Sequence, residues 1–344
     1  ASGGTYVPPV IPVSAISVTP TELILAVGDT GTITAAVEPA NAANKDVTWT
    51  SSDETIATVA NGVVTPLAVG TATITVTTVD GSFTATCVVT VVAENTVAMI
   101  GTTEYISLEA ALDAATDGET VTLLKDVTLA DNTFFVLDKK ITIDGNNKAV
   151  TGKTTTDYAN GLFTFGAGSE GSTLKNLTIN FTSTGAQSTA VYFTYGFTGG
   201  SDSARTTIEN VTFQGATDLA SIGQEMAISS TYIGGGYVDI KDCTFTNFKY
   251  AMYFNQISNV NITGNTIDGT RYNGIIVAAD DANYLCENIT ITGNTLTNIS
   301  YANWDNDLYA AGISFGLNIS NVTEENNSIT MLNDKPMVYY AGVQ

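Results

Sequence analysis

The side chains best suited to chemistry lie in two loops. "AADDANYLCEN" sets Asp280 beside Asp281, shortly after Arg271, and "SYANWDNDLY" gathers Trp304, Asp305 and Asp307. Neighbouring carboxylates can hold a hard cation such as calcium through their oxygens. A pair of them can also serve as acid and base in glycoside cleavage. An aromatic ring beside them offers a flat apolar face with a polar tip, which suits a sugar ring, and Tyr192 and Tyr253 offer the same. Ligand binding is therefore assigned to Trp304, Asp305, Asp307, Tyr192, Tyr253 and Asp280. Calcium, the only cofactor considered, would fall to Asp280, Asp281, Asp305 and Asp307. No catalytic residue is assigned; if catalysis occurred, Asp280, Asp281 and Arg271 would be its candidates. The competing reading is that these are solvated turns, where Asp, Asn and Gly are expected anyway.

Composition narrows the chemistry. The 344 residues contain no His, so a His-based triad, metal site or pH switch is excluded. Twelve Lys and Arg against 34 Asp and Glu give a formal charge of −22. That field repels nucleic acid and anionic lipid, and also a polyanionic polysaccharide unless a cation bridges them. Cys87, Cys243 and Cys286 have no metal-site or disulfide-framework spacing and read as small buried apolar residues. No stretch is long and apolar enough to span a membrane. The opening "ASGGTYVPPVIP" reads as a tether over residues 1–12, left after removal of a leader or anchor. Secretion or attachment to a cell surface is expected.

The elements that must position these loops follow two grammars. Residues 13–94 alternate apolar and polar in short runs broken by Gly, Asp, Asn and Pro, which predicts about seven strands in a β-sandwich. The run "WTSSDETIATVANGVVTPLAVGTATITV", from Trp49 to Val76, resembles the bacterial immunoglobulin-like domain, group 2. The resemblance implies a spacer or adhesive module of exported bacterial proteins, with Trp49 in the core.

Residues 95–344 begin with an amphipathic helix at about 107–115, capped by Ser107 and apolar along Leu108, Ala111, Leu112 and Ala115. A short phrase then recurs, as in "NITGNTI" and "NITITGNTL", closing at Ile179, Phe213, Phe245, Ile267, Leu296 and Ile329. The steps are 34, 32, 22, 29 and 33 residues. A second strand recurs between the phrases, each copy opening on a small residue or Pro: Gly161, Ala190, Ala227, Ala251, Gly274, Gly312 and Pro336. A base period with variable insertions is a solenoid signature. On the period, the Gly-Asn turn and the capping helix, this part resembles the right-handed parallel β-helix of the pectate-lyase-like superfamily. That fold serves lyases, hydrolases, tailspikes and adhesins alike.

Coils stacked roughly 4.8 Å apart bring equivalent residues together. The turn position reads Asn146, Leu177, Val211, Cys243, Asn265, Asn294 and Asn327, so the last three are expected to form a structural ladder. The sequons at Asn176, Asn210, Asn261, Asn288, Asn298, Asn318 and Asn321 are read as turn chemistry, several of them buried by stacking, rather than as glycosylation sites. Anchoring the second strand on its small residue assigns an outward face of Phe163, Phe165, Tyr192, Thr194, Ser229, Thr231, Tyr253, Asn255, Ile276, Ala278, Ser314, Gly316, Val338 and Tyr340. No charge stands on that face, which argues against an enzyme. The expectation is a monomeric surface adhesin or glycan-binding protein, whose partner is an extracellular glycan or a host or cell-surface protein. It is expected neither to bind nucleic acid nor to insert into a membrane. A polysaccharide lyase or hydrolase is the alternative, and a structural stalk the second.

Overall fold

The computed structural model describes residues 10–156, 161–185, 188–197, 200–231, 235–279, 285–300 and 310–341. The chain divides into two compact units, residues 1–96 and 97–344. Among the described residues both are built of β-strands, with one α-helix and one short 3-10 turn, both in the second unit.

In the first unit nine strands form sheets of two, three and four strands. Strict alternation explains its core. Gly70–Thr78 turns Ala72, Ile74, Val76 and Thr78 inward, and its antiparallel partner Thr84–Val92 adds Cys87, Val89 and Val91. Trp49, expected in the core, packs against it from Val47–Ser51 without being fully buried. Its ring lies over Gly62, where φ is +82° and an added Cβ would come within 2.4 Å of the Ile33 carbonyl oxygen.

The second unit opens with antiparallel pairing of Thr103–Tyr105, Ala98–Ile100 and Thr120–Leu123. Among the described residues every later pairing between strands is parallel, each strand bonding to its counterpart in the next repeat of the sequence. One sheet runs through Thr142–Thr154, Thr173–Ser183, Thr206–Gln214, Gly236–Lys241, Ser258–Thr263, Cys286–Thr292 and Ile319–Glu325. A separate eight-stranded sheet runs from Phe135–Leu137 to Val338–Tyr340. The residues that close the recurring phrase, from Ile179 to Ile329, pair in register. Just before the turn position of each phrase the backbone is left-handed, at Asn176, Asn210, Asp242, Gly264, Gly293 and Asn326. Gly reaches that conformation freely, and Asn and Asp tolerate it better than other side chains.

The helix is Leu108–Ala114. The Ala110 N–H donates to Ser107 Oγ at 3.1 Å, and Lys139 Nζ donates to the Asp113 and Ala115 carbonyls, both at 2.9 Å. A cation on the last carbonyls also complements the helix dipole. Leu108, Ala111 and Leu112 pack into the same core as Ala98, Ile100 and Val121.

The face of the eight-stranded sheet differs from expectation at both ends. In register the inward column is Phe135, Phe163, Val191, Ile228, Met252, Ile275, Ile313 and Val338. Phe163 and Phe165 are therefore core residues, each wholly buried. Phe165 stacks on Phe193 at 5.2 Å, and Tyr340 stacks on Phe315 at 4.8 Å. The outward residues are Val136, Thr164, Tyr192, Ser229, Tyr253, Ile276, Ser314 and Tyr339. The anchor was misleading because Gly161 is small for another reason. A Cβ there would meet the Tyr192 backbone nitrogen at 2.9 Å. The column equivalent to Ala190 holds Leu162 in the earlier coil and Met337 in the last.

Candidate functional site

The asparagines of the turn column are brought together. Asn265 and Asn294 are 1% exposed, and Asn327 is half-buried at the end of the stack. The backbone N–H and the Nδ2 of Asn265 both donate to Asn294 Oδ1 at 2.9 Å, and Asn294 repeats both bonds to Asn327 Oδ1. Each Nδ2 also donates one repeat back, to the carbonyls of Ile240, Ile262 and Ile291. Cys243 N–H donates to Asn265 Oδ1 at 2.9 Å and starts the series. Asn146 lies outside the column: a register shift between Asp144 and Lys148 puts Lys148 opposite Leu177.

The sequon asparagines are not buried as expected. Asn210, Asn288, Asn298 and Asn321 are exposed, and Asn176, Asn261 and Asn318 are half-buried. Six of the seven, all but Asn261, have left-handed backbones. Several link coils from outside: Asn210 Nδ2 donates to Asn176 Oδ1 at 2.8 Å, Asn288 Nδ2 to Asn259 Oδ1 at 2.7 Å, and Asn321 Nδ2 to Asn288 Oδ1.

Of the residues assigned to ligand, calcium or catalysis, Asp280, Asp281, Trp304, Asp305 and Asp307 lie outside the described residues. Tyr192 and Tyr253 are half-buried on the outward face, with Ser229 between them in the stack. Arg271 and Tyr253 belong to one patch, linked through Tyr272 and Tyr250 and built on three successive repeats.

Residues entering the eight-stranded sheet build that patch. They are Glu225-Met226 and Lys249-Tyr250, whose second members open strands Met226–Ser230 and Tyr250–Asn255, and Arg271-Tyr272, shortly before Ile275–Ala278. Backbone bonds hold them in line: Lys249 N–H donates to Glu225 O at 2.8 Å, and Tyr272 N–H to Lys249 O at 3.0 Å. Met226, Tyr250, Ile276 and Ala278 form a small apolar cluster separate from the main core, with Tyr253 and Tyr272 half-buried against it. The Tyr250 ring lies 5.3 Å from Tyr253 and 5.5 Å from Tyr272. Below them Asn273 Nδ2 donates to Ser314 Oγ at 2.6 Å.

Two charges at the patch, Lys249 and Glu225, are perturbed. Lys249 Nζ lies 5.6 Å over the Tyr250 ring and donates to Gln224 Oε1 at 2.8 Å. The Arg271 guanidinium lies 5.6 Å over Tyr272 and donates to the Ile222 carbonyl at 3.4 Å. Such cation–ring contacts add roughly 0.5–1 kcal/mol where solvent reaches them. Burial, and after it the Arg271 charge, hold the Lys249 ammonium below the ordinary lysine range, with Glu225 opposing. Glu225 is 2% exposed, and burial raises its carboxyl despite backbone N–H bonds from its own loop. Its Oε1 accepts from Gly223 N–H at 3.0 Å, while Oε2 has no hydrogen-bond partner. A hydrophobic wall, ring faces and poised charges together suit a ring-shaped polar ligand.

Glu225, Lys249, Tyr250 and Tyr272 are absent from the sequence assignments. Their signal was present: a basic residue followed by Tyr opens two successive copies of the strand, "KYAMYF" and "RYNGIIV". The thiols, by contrast, are inert. All three are buried and unpaired, and burial pushes Cys243 up to about 12 and Cys286 up to about 11.

Comparison with known proteins gives a class to the first unit. Residues 12–89 match the bacterial Ig-like domain (group 2), and this segment is such a domain. That match does not reach the second unit. Among similar proteins, an uncharacterized protein of Clostridium acetobutylicum is 53% identical over 70 residues, covering 20% of this chain and 7% of its own. An Ig-like virion protein of Serratia phage KSP90 is 45% identical over 84 residues, covering 24% of this chain and 33% of its own. An alpha-L-arabinofuranosidase of Bifidobacterium longum subsp. longum is 45% identical over 85 residues, covering 24% and 8%. The chain thus spans a third or less of each relative. Bacterial Ig-like domains of this group occur in extracellular and surface proteins. No helix among the described residues is long and apolar enough to cross a membrane, which leaves membrane-crossing strands unaddressed.

Proposed function

We propose that the chain belongs to an exported bacterial surface protein in which the Ig-like unit is a spacer and the second unit binds an extracellular glycan. The second unit is read as a right-handed parallel β-helix of the pectate-lyase-like kind. Its repeating parallel register, its phrase of varying length and its N-terminal helix support that reading. The mixed company of the Ig-like segment, a virion protein and a glycosidase, supports treating that segment as a portable module.

The observation that carries the binding function is the tyrosine cluster of Tyr250, Tyr253 and Tyr272 on the outer side of the eight-stranded sheet. Aromatic faces on a rigid platform bind ring ligands with little loss of conformational freedom. A glycan array with the intact chain tests this. Binding to at least one saccharide, weakened at least tenfold in Tyr253→Ala and Tyr272→Ala of unchanged melting temperature, is the expected result. Equal binding by both variants, or none by the parent, would defeat it.

A second reading, a polysaccharide lyase, draws on the depressed Lys249 beside the raised Glu225, since catalytic groups need shifted proton affinities. Release of an unsaturated sugar, lost in Lys249→Gln, would put it first.

A further inference from the structure

We propose that the tyrosine patch takes an acidic saccharide, with the sugar ring on Tyr253 and Tyr272 and its anionic substituent between Lys249 Nζ and the Arg271 guanidinium. This rests on the glycan-binding reading and adds the charge of the ligand.

In the first sheet of the second unit one column of charges is matched from repeat to repeat. The outward column of the first sheet alternates Asp144, Lys175, Glu209 and Lys241 in register. Lys175 lies 3.4 Å from Asp144, and Lys241 lies 2.7 Å from Glu209. Arg205 is 2.6 Å from Asp239 in the same way. The patch differs from that column, because Lys249 is followed in the next repeat by Arg271. Among the described residues neither makes an ion pair within 4 Å. Their one acidic neighbour in the column, Glu225, is turned back on its own loop. Gly223 N–H binds its Oε1, and a Cβ on Gly223 would come within 2.7 Å of its Oε2.

Two like charges on adjacent coils, partly withdrawn from water, repel each other. The Arg271 charge is one of the causes that depress Lys249. An anion between them would remove that repulsion and gain charge-assisted hydrogen bonds, which are the strong ones. The −22 of the whole chain opposes an anionic ligand at long range. Beyond about 8 Å that opposition is screened at physiological salt, whereas direct contacts in a partly buried patch are not.

The source of the anion is decided by probes. A sulfated heparin-type oligosaccharide, a polygalacturonate oligosaccharide and a neutral cello-oligosaccharide are titrated calorimetrically against the intact chain. At least one acidic probe should bind, with no measurable binding of the neutral one. Lys249→Gln and Arg271→Gln should each weaken the acidic probe at least tenfold, and the double variant should abolish binding. Arg271→Lys, which keeps the charge, should retain most of it and serves if Arg271→Gln fails to fold. Neutral glycan binding untouched by either Gln variant would overturn this inference and leave the glycan-binding function standing. Acidic binding that ignores both Gln variants would overturn the site. No binding of any saccharide, on an array or by titration, would remove both.

Discussion

The column Asn265–Asn294–Asn327 and the column Glu225–Lys249–Arg271 are built by the same device and end in opposite states. In each, three successive repeats put a polar side chain at one level. In the asparagine column every buried amide finds partners within the stack, donating both sideways and back one coil. A filled network of that kind holds coils in register and leaves nothing to offer a ligand. In the charged column two cations adjoin, and the acid beside them keeps an oxygen without a partner. Repetition alone therefore does not separate scaffold from site. The separating quantity is whether the repeated groups satisfy one another.

The largest expected effects lie in the closed column. Asn294→Leu takes the acceptor from two donors of Asn265 and the side-chain donor from the acceptor of Asn327, which keeps only the backbone N–H. Each buried group left unpaired costs about 1–3 kcal/mol. Asn265→Leu strips the Cys243 N–H of its acceptor and Asn294 Oδ1 of one of its two donors, and should cost somewhat less. Asn327→Leu sits at the half-exposed end, where water can substitute, and should cost least. Denaturant midpoints of the three variants would show the order. Equal losses would mean that the ladder does not act as a connected series.

A middle effect is expected where the column changes character. Cys243 occupies the asparagine position one coil earlier, and its thiol donates to the Ile208 carbonyl at 3.5 Å, the equivalent of the bond each asparagine Nδ2 makes. Cys243→Asn should extend the ladder by one coil, with a change in stability within about 1 kcal/mol. Val211→Asn, one coil further back with an apolar Leu177 before it, should cost more. Melting temperatures of the two variants give the comparison, and a larger loss at Cys243 would show that the column is set by volume rather than by hydrogen bonding.

The closed column was legible in the sequence, because its Gly-Asn turn is spelled out in neighbouring copies and the left-handed backbone it needs is a local property. The face of the eight-stranded sheet was legible only in part. Tyr192 and Tyr253 follow from alternation, but at Phe163 and Val338 a one-residue slip inverts every assignment. Gly161 answers to the close approach of Tyr192, a contact between coils that no local pattern reveals. The patch was less legible still. Its charges are ordinary residues in three separate loops, and only stacking places Arg271 next to Lys249. The first unit was read from a local run, although Trp49 packs against its core without being fully buried.

The smallest expected effect is at the open column, and its sign matters more than its size. A lysine depressed in the folded state is a cost, not a support. Below its folded value the ammonium carries the full penalty of burial and of the Arg271 charge. As pH rises from that depressed value toward the ordinary lysine value of about 10.4, the folded protein has shed the proton that the unfolded chain keeps, so stability climbs relative to neutral pH. Lys249→Gln removes the penalty and the climb together. It should leave the protein at neutral pH as stable as the parent or more so, by roughly 0–1 kcal/mol once screening is allowed for, and should flatten the alkaline limb of the stability profile. Chemical denaturation from pH 7 to pH 10 measures both. A loss of stability in Lys249→Gln would make Lys249 part of the scaffold, and the two columns would then differ in composition but not in purpose.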